Sequence, residues 1–257
     1  MKTLVRNGVI LHYKTGGASK GPNLMMVHGA GSNHTTWLNS ASLLKGIRWV
    51  ALDTRGHGCS GGVPDVYDTM ADIMAIADNE GMRKFSVAGI CMGGTLAVEA
   101  ARRYPKRITD VVVISPFDKD LIRYSIFLKI LCVGTCRICD HLPGRKRLEL
   151  VDYRRPPPVP FFLTPLQDLL GISASNYGIA VLNTLKHNIY FNHLDIPMLV
   201  ISGRRDTFLK KSRLKRRLEN HPTASWVELD TNHHILTWKP RQVATLINNF
   251  IAGRKNR

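Results

Sequence analysis

Residues 84–94, KFSVAGICMGG, place a cysteine where a nucleophile would be useful. The apolar run 85–89 predicts a buried strand, and residues 93–101 predict a helix that begins after a tight turn. The turn reads G-x-C-x-G-G, the spacing at which a sharp strand-to-helix turn exposes its central side chain. Glycines beside the turn allow the strand and the helix to approach without a Cβ clash. The pattern therefore predicts that Cys91 stands exposed at the N-terminus of a helix.

This position suits covalent chemistry at the thiol. A helix N-terminus carries partial positive charge, which favours the thiolate form of a cysteine. The backbone N–H of Met92 would point toward the same place, where an oxyanion would form on a substrate carbonyl. The alternative is a small buried cysteine with no reactivity, which is the usual state of a free cysteine.

Three other segments with candidate site residues follow apolar runs that predict strands. His28 and Ala30 come after the run 24–27, Asp206 comes after the run 198–201, and the pair 233–234 comes after the strand predicted at 225–229. Because ligands of open parallel sheets bind at the carboxyl ends of the strands, these groups are expected near Cys91. The set combines a thiol, a carboxylate and an imidazole.

The elements that carry these residues alternate along the chain. A hairpin is predicted around Asn7-Gly8, which is a strong hairpin signal. Further strands are predicted at 24–27, 47–52, 85–89, 108–114, 198–201 and 225–229, and helices at 37–45, 67–80, 93–101, 209–220 and 240–251. Apolar strands that alternate with helices predict an α/β fold with a mostly parallel sheet covered on both faces. The alternation stops over residues 117–193, which predicts an insertion.

With these motifs in this order, the chain resembles the α/β-hydrolase fold superfamily. The resemblance covers residues 2–116 and 194–252. It rests on HGAGS at 28–32, DTRGHGCSG at 53–61, GICMGG at 89–94, GRRD at 203–206 and HH at 233–234. It implies an α/β-hydrolase core formed by residues 1–116 and 194–257, with a cap or lid inserted at 117–193.

The resemblance also implies a role for each site residue. Cys91 would attack a carbonyl and form an acyl-enzyme, and His233 would act as general base and then as general acid. Asp206 would orient the imidazole, and the N–H groups of Ala30 and Met92 would form the oxyanion hole. The order Cys91, Asp206, His233 is the order of nucleophile, acid and base in this fold.

Two of these assignments have competitors. His234 competes with His233 for the role of base, but His233 lies seven residues before Pro240, which is the common spacing in the family. Asp118 and Asp120 follow the strand at 108–114, where some members place their acid. The other two histidines in glycine-flanked turns, His28 and His57, are expected to hold loops rather than to act in catalysis.

The predicted activity is hydrolysis of a carboxylic ester or thioester, with a small-molecule substrate and no cofactor. At its cysteine turn the chain is similar to dienelactone hydrolases, polyhydroxyalkanoate synthases, acyl-CoA thioesterases and bile-acid acyltransferases. An acyltransferase that uses the same acyl-cysteine is the first alternative. A non-catalytic binding protein on a hydrolase scaffold is the second, since replacing serine by cysteine can remove activity.

A second cysteine group, Cys132, Cys136 and Cys139, has the spacing of an iron–sulfur or zinc motif. The run 121–139 around it predicts an apolar cap helix with these cysteines along one face, so no metal is expected. Arg123, Lys129 and Arg137 interrupt that run, which argues against a membrane span.

Composition and charge indicate the cellular compartment and the kinds of partner to expect. The chain of 257 residues has five cysteines and no signal-peptide pattern at its start, which predicts a reduced, cytoplasmic protein. Its net charge of +17 favours anionic partners, such as acyl-CoA or peripheral contact with an anionic membrane. No nucleic-acid motif accompanies the dispersed charges, so no nucleic-acid partner is expected. The sequence does not predict an oligomeric state.

Overall fold

The structure is a computed structural model that describes residues 1–123, 152–155, 172–189, 191, 194–219 and 221–253. Within them the chain forms one sheet whose strands are β1 Lys2–Arg6, β2 Val9–Gly17, β3 Asn23–Val27, β4 Arg48–Leu52, β5 Phe85–Ile90, β6 Ile108–Ile114, β7 Met198–Gly203 and β8 Ala224–Leu229. The helices of the same residues are α1 Thr35–Ala41, α2 Val66–Asn79, α3 Met92–Arg103, α4 Ala174–Thr184, α5 Lys211–Leu218, α6 Ile235–Trp238 and α7 Pro240–Ala252.

The strand order in the sheet is β1-β2-β4-β3-β5-β6-β7-β8. The first two pairings, β1 with β2 and β2 with β4, are antiparallel, and every other pairing is parallel. Asn7 and Gly8 join β1 to β2 with positive φ angles of 49° and 74°, as the predicted hairpin requires. The prediction of a mostly parallel sheet flanked by helices is confirmed.

Side chains of the central strands alternate between two apolar cores, because successive residues of a strand point to opposite faces. Val111 and Val113 of β6 join the core that includes residues of α2, α3 and α5, whereas Val112 and Ile114 join the core beneath α1, α6 and α7. Both cores are fully buried at these positions. The helices thus cover the two faces of the sheet, and the carboxyl ends of the parallel strands are left to build a site.

The predicted division into core and cap stays a prediction. All eight strands lie within residues 2–17, 23–27, 48–52, 85–90, 108–114, 198–203 and 224–229, which fall in the predicted core. Most of the predicted cap, including Cys132, Cys136 and Cys139, lies outside the described residues, as does the rest of the run 121–139 from residue 124 onward.

Most element boundaries differ from the predictions by one or two residues, and two differences are larger. The first helix covers Thr35–Ala41 rather than 37–45, and α4, Ala174–Thr184, falls in the segment for which no repeating pattern is predicted. The side chain of Ser173 caps α4 by accepting a hydrogen bond from the N–H of Asn176 at 3.1 Å. Helix α4 matters for function because it contributes residues to the cavity described below.

Candidate active site

Cys91 occupies the strained turn between β5 and α3. Its φ of 55° and ψ of −121° lie in a region that costs a non-glycine residue about 1–3 kcal/mol. The turn is possible because Gly89 and Gly93 have no side chains. A Cβ on Gly89 would overlap the carbonyl of Gly93, and a Cβ on Gly93 would overlap the carbonyl oxygens of Val27 and His28. Cys91 therefore stands at the N-terminus of α3 as predicted, with its side chain partly buried rather than exposed.

Two neighbouring loops bring a carboxylate and an imidazole to the same edge of the sheet. Asp206 lies in the loop after β7, and His233 lies in the loop after β8. Backbone hydrogen bonds join these loops, since the N–H of Arg204 donates to the carbonyl of Leu229 at 2.8 Å and that of Arg205 donates to Thr231 at 2.9 Å. Residues 27 positions apart in sequence are thereby held side by side.

The side chains of Asp206 and His233 form a hydrogen-bonded pair beside Cys91. The Nδ1 of His233 lies 2.8 Å from Oδ2 of Asp206, and because a carboxylate only accepts, Nδ1 carries the proton. The other ring nitrogen of His233 is left for the thiol of Cys91, since both side chains line the same cavity. The second carboxylate oxygen of Asp206 accepts from the N–H of Phe208 at 3.0 Å.

The interaction between Asp206 and His233 favours the charged form of the imidazole. Burial by itself would lower the pKa of His233, but the charge and hydrogen bond of Asp206, helped by Cys91, hold that pKa well above 6.5. Burial would raise the pKa of Asp206, whose side chain is fully buried, but the charge of His233 brings that pKa below 3.8. Asp206 therefore stabilises the imidazolium that forms when His233 takes a proton.

His234 has a different environment. Its ring lies beside that of His233, with centroids 6.1 Å apart, and burial together with the charge of His233 lowers its pKa to about 4. Its backbone N–H donates to the side-chain oxygen of Asn232 at 3.0 Å, which shapes the loop. Since the carboxylate of Asp206 binds His233, the geometry favours His233 as the base.

Asp118, the alternative candidate for the acid, forms hydrogen bonds with residues other than His233. Its buried carboxylate accepts hydrogen bonds from the N–H groups of Asp120, Leu121 and Ile189 at 2.7–2.8 Å and also binds the guanidinium of Arg217. Asp120 pairs with the same guanidinium at 3.0 Å. Asp118 thus links the chain that leads into the insertion to the chain that leaves it.

The two expected oxyanion donors lie at the thiol. Met92 is the first residue of α3, directly after Cys91. Ala30 follows Gly29, where a Cβ would lie 3.2 Å from the Cβ of Cys91. In the part of the chain that the structure describes, neither backbone N–H donates to a protein acceptor. Both donors are therefore free to bind a substrate oxygen.

A cavity of about 120 Å³ opens at the thiol of Cys91. Its walls are mainly apolar and include Phe117 after β6, Val181 of α4 and Phe208 before α5. His233 and His234 line its polar side. An apolar cavity with a few converging polar groups is the usual form of a small-molecule site.

His28 and His57 lie outside this cavity and are almost fully buried. Nδ1 of His28 donates to the carbonyl of Gly29 at 2.7 Å, and Nε2 accepts from the N–H of Thr54 at 3.0 Å. Burial lowers the pKa of His28 to about 4 and that of His57 to about 3, so both are neutral. These contacts join the loops after β3 and β4, as expected of histidines that hold loops.

Sequence reasoning missed two contributions from the insertion. Tyr153 lines the cavity and donates its hydroxyl to the carbonyl of Gly31 at 2.9 Å. Helix α4 brings Tyr177 and Val181 to the cavity, and amide groups of Asn176 and Asn183 fix this helix to the carbonyls of Gly56 and Pro64 at 3.1 and 3.0 Å. The N-capping serine before α4 is the sequence signal that identifies the helix, but nothing in sequence indicates the partner of Tyr153.

A comparison with known families covers most of the chain. The alpha/beta hydrolase family matches residues 24–246. The chain belongs to the alpha/beta hydrolase family. Sequence-based prediction of an α/β-fold hydrolase is thereby confirmed.

Individual relatives of this alpha/beta hydrolase are distant. An abhydrolase domain-containing protein of Schizosaccharomyces pombe is 25% identical over 266 residues, which cover 91% of this chain and 93% of the relative. The 3-oxoadipate enol-lactonase 2 of Acinetobacter baylyi is 30% identical over 115 residues, 43% of each chain. The chain spans only 30% of the length of the first curated relatives that it matches.

Among solved structures, the enol-lactonase of Burkholderia xenovorans LB400 resembles this alpha/beta hydrolase with a TM-score of 0.77 at 21% identity. The match covers 98% of this chain and 100% of the lactonase. At this identity the likeness establishes the shared fold.

Two other properties concern only the described residues of this alpha/beta hydrolase. They contain no group of three or more His, Cys, Asp or Glu side chains arranged to hold a metal ion. Their helices are all too short or too polar to cross a lipid bilayer.

Proposed function

We propose that this alpha/beta hydrolase cleaves a small carboxylic ester or thioester through an acyl-enzyme on Cys91. The observation that carries the proposal is the hydrogen-bonded pair of Asp206 and His233, whose imidazole lines the same apolar cavity as Cys91. A protein that only binds a ligand has no need of a carboxylate that orients an imidazole toward a thiol.

The proposed reaction has two halves. In the first, His233 takes the thiol proton while the sulfur of Cys91 attacks the substrate carbonyl, and the N–H groups of Ala30 and Met92 stabilise the oxyanion. The imidazolium then gives its proton to the leaving alcohol or thiol, which departs as the acyl-enzyme forms. In the second half, His233 activates a water that releases the acid and restores the thiol.

Two lines of support favour an ester-type substrate. Apolar residues such as Phe117 and Val181 suit a hydrocarbon acyl group rather than a charged one. The Acinetobacter baylyi relative is named as an enol-lactonase, and a lactone is a cyclic ester. Cysteine as nucleophile also suits thioesters, because exchange between two sulfur atoms forms an acyl-cysteine of similar energy to the substrate.

The test is the intact mass of the protein after brief exposure to activated short-chain esters and to acyl-CoA thioesters. We expect the parent protein to gain one acyl mass and Cys91→Ala to gain none. Cys59→Ala is the matched control, because Cys59 is the exposed cysteine of the described residues and its removal should leave the adduct in place.

The fate of the adduct separates the alternatives. Loss of the acyl group in water alone supports a hydrolase, whereas loss only after an amine, alcohol or thiol is added indicates an acyltransferase. An adduct that survives Cys91→Ala would contradict Cys91 as the nucleophile. No adduct and no turnover with any donor would support a binding protein on the hydrolase scaffold.

A further inference from the structure

We infer that Tyr153 is a positioning residue for the oxyanion hole and that its hydroxyl holds the loop that carries Ala30. This inference rests on the proposed function, since it assigns a role in the attack of Cys91 on a carbonyl. Tyr153 comes from the inserted segment and is 122 residues away in sequence from the loop that it contacts.

The contact is made to one peptide unit of that loop. The carbonyl of Gly31 accepts from the hydroxyl of Tyr153 at 2.9 Å, and the N–H on the same peptide, that of Ser32, donates to the carbonyl of Gly29 at 3.2 Å. Both ends of the peptide between Gly31 and Ser32 are therefore held, and Ala30 lies inside the turn that they close. Gly31 has a φ of 75°, so the turn depends on a backbone conformation that few other residues adopt.

The backbone beside Tyr153 is fixed to the same region. The N–H of Tyr153 donates to the hydroxyl of Thr35 at 3.0 Å, and the carbonyl of Arg154 accepts from the side chain of Asn39 at 2.7 Å. Thr35 is buried and donates in turn to Asn33 at 2.6 Å. Because these contacts fix the backbone on which the Tyr153 ring is carried, the hydroxyl is presented to Gly31 from a defined position.

The functional consequence follows from where the N–H of Ala30 must point. An oxyanion donor stabilises the transition state only when it is already aimed at the developing charge, and the loss of one such donor costs about 100- to 1,000-fold in rate. A loop that carries the donor but is held at fewer points would place it less accurately. Removing the hydroxyl of Tyr153 should therefore slow acylation by a smaller factor, about tenfold.

The test compares two reactions of the same thiol in Tyr153→Phe. Acylation of Cys91 by an activated ester passes through an oxyanion, whereas alkylation by iodoacetamide displaces iodide at a saturated carbon and does not. Both rates are measured at Cys91 itself, on samples first shown by urea unfolding to be folded, because an unfolded cysteine is still alkylated by iodoacetamide. Tyr67→Phe, an exposed tyrosine on α2, is the matched control and should leave the ratio unchanged.

We expect the ratio of acylation to alkylation to fall at least fivefold in Tyr153→Phe, with the KM for the ester changed less than about twofold. A fall of less than fivefold would overturn the inference, and so would a higher KM with the same saturated acylation rate, because Tyr153 would then only form the cavity wall. If the parent protein forms no adduct on Cys91, the proposed function fails and this inference fails with it.

Discussion

At the scale of single residues, the pair of Asp206 and His233 links the chemistry of the site to the stability of the fold. The pKa of His233 in the folded protein is well above 6.5 because of Asp206, whereas an unfolded chain has an ordinary histidine. The folded state therefore binds this proton more tightly than the unfolded state. Each unit by which the pKa is raised corresponds to about 1.4 kcal/mol of free energy of unfolding.

The sign of this linkage gives a prediction for Asp206→Asn. In the folded parent both partners are charged between about pH 4 and pH 6.5, so the pair contributes fully there, and its contribution is lost as pH rises through the folded pKa of His233. We expect the free energy of unfolding to differ most between parent and variant near pH 5.5. Urea unfolding at a series of pH values measures the difference, which should shrink above pH 6.5.

Asp230→Asn provides the control for this series. Asp230 lies 3.4 Å from Arg205 in an exposed ion pair, so its replacement should change the free energy of unfolding little, and equally at every pH. A difference between the parent and Asp206→Asn that stays constant from pH 5 to pH 9 would contradict the assigned coupling.

Most residues of the candidate site could be predicted from sequence because they follow strand ends. Cys91, Asp206 and His233 each lie within four residues of the end of a strand, and the parallel sheet gathers such positions at one edge. Tyr153 could not be found in this way, since its partner Gly31 is distant in sequence and no periodic pattern surrounds it. The family resemblance already favoured Asp206 over Asp118, and the hydrogen-bond partners of the two carboxylates agree with that prediction.

At the scale of elements, the turn from β5 to α3 depends on its glycines. A Cβ on Gly93 would meet backbone carbonyls of Val27 and His28, which cannot move aside as a flexible side chain can. We expect Gly93→Ala to lower the free energy of unfolding by about 1–3 kcal/mol and to slow alkylation of Cys91. Urea unfolding and the rate of iodoacetamide labelling measure the two effects.

Gly61→Ala is the matched substitution for that experiment. The nearest atoms to a Cβ on Gly61 lie 3.8 Å away, which is an ordinary contact, so the expected change is within about 0.5 kcal/mol. Equal stability losses in the two variants would mean that the close approach of α3 to β3 does not require glycine.

The types of the core elements could be predicted from sequence, whereas helix α4 in the predicted insertion could not. Strand β6 is a short run rich in β-branched residues and α7 has apolar residues at helical spacing, so the type of each could be predicted. In α4 the apolar residues 179–182 are consecutive and Gly178 interrupts the helix-forming run, so the period is obscured. Contacts of Asn176 and Asn183 with the loop after β4 supply the stabilisation that local sequence does not.

At the scale of the whole molecule, the net charge is +17, and part of it lies on a helix that begins close to a residue of the cavity wall. Phe208 lines the cavity and precedes the basic helix α5, and its carbonyl accepts from the N–H of the exposed Arg123 at 2.8 Å. Some cations are neutralised, such as Lys211 by Glu228 at 3.1 Å. Lys215 and Arg216 are exposed and have no ion pair within the described part of the chain. These unpaired cations contribute to the positive net charge of the molecule.

The positive net charge of the protein predicts that salt will affect charged and neutral substrates differently. Raising the salt from about 0.01 M to about 1 M shortens the screening length from about 30 Å to about 3 Å. We expect kcat/KM for an acyl-CoA to fall over this range, while kcat/KM for an uncharged thioester with the same acyl group stays nearly constant. Initial rates at a series of salt concentrations measure both, and parallel curves would contradict electrostatic steering.

The buried carboxylate of Asp118 also has a consequence for the substitutions that the chain tolerates. Four donors converge on it, from the chain entering the insertion, the chain leaving it, and Arg217 on α5. Replacing Asp118 by an apolar residue would leave three amide groups and a mostly buried guanidinium without this acceptor at once, which is expensive. Position 118 should therefore be among the least tolerant of substitution, although its carboxylate takes no part in the proposed chemistry.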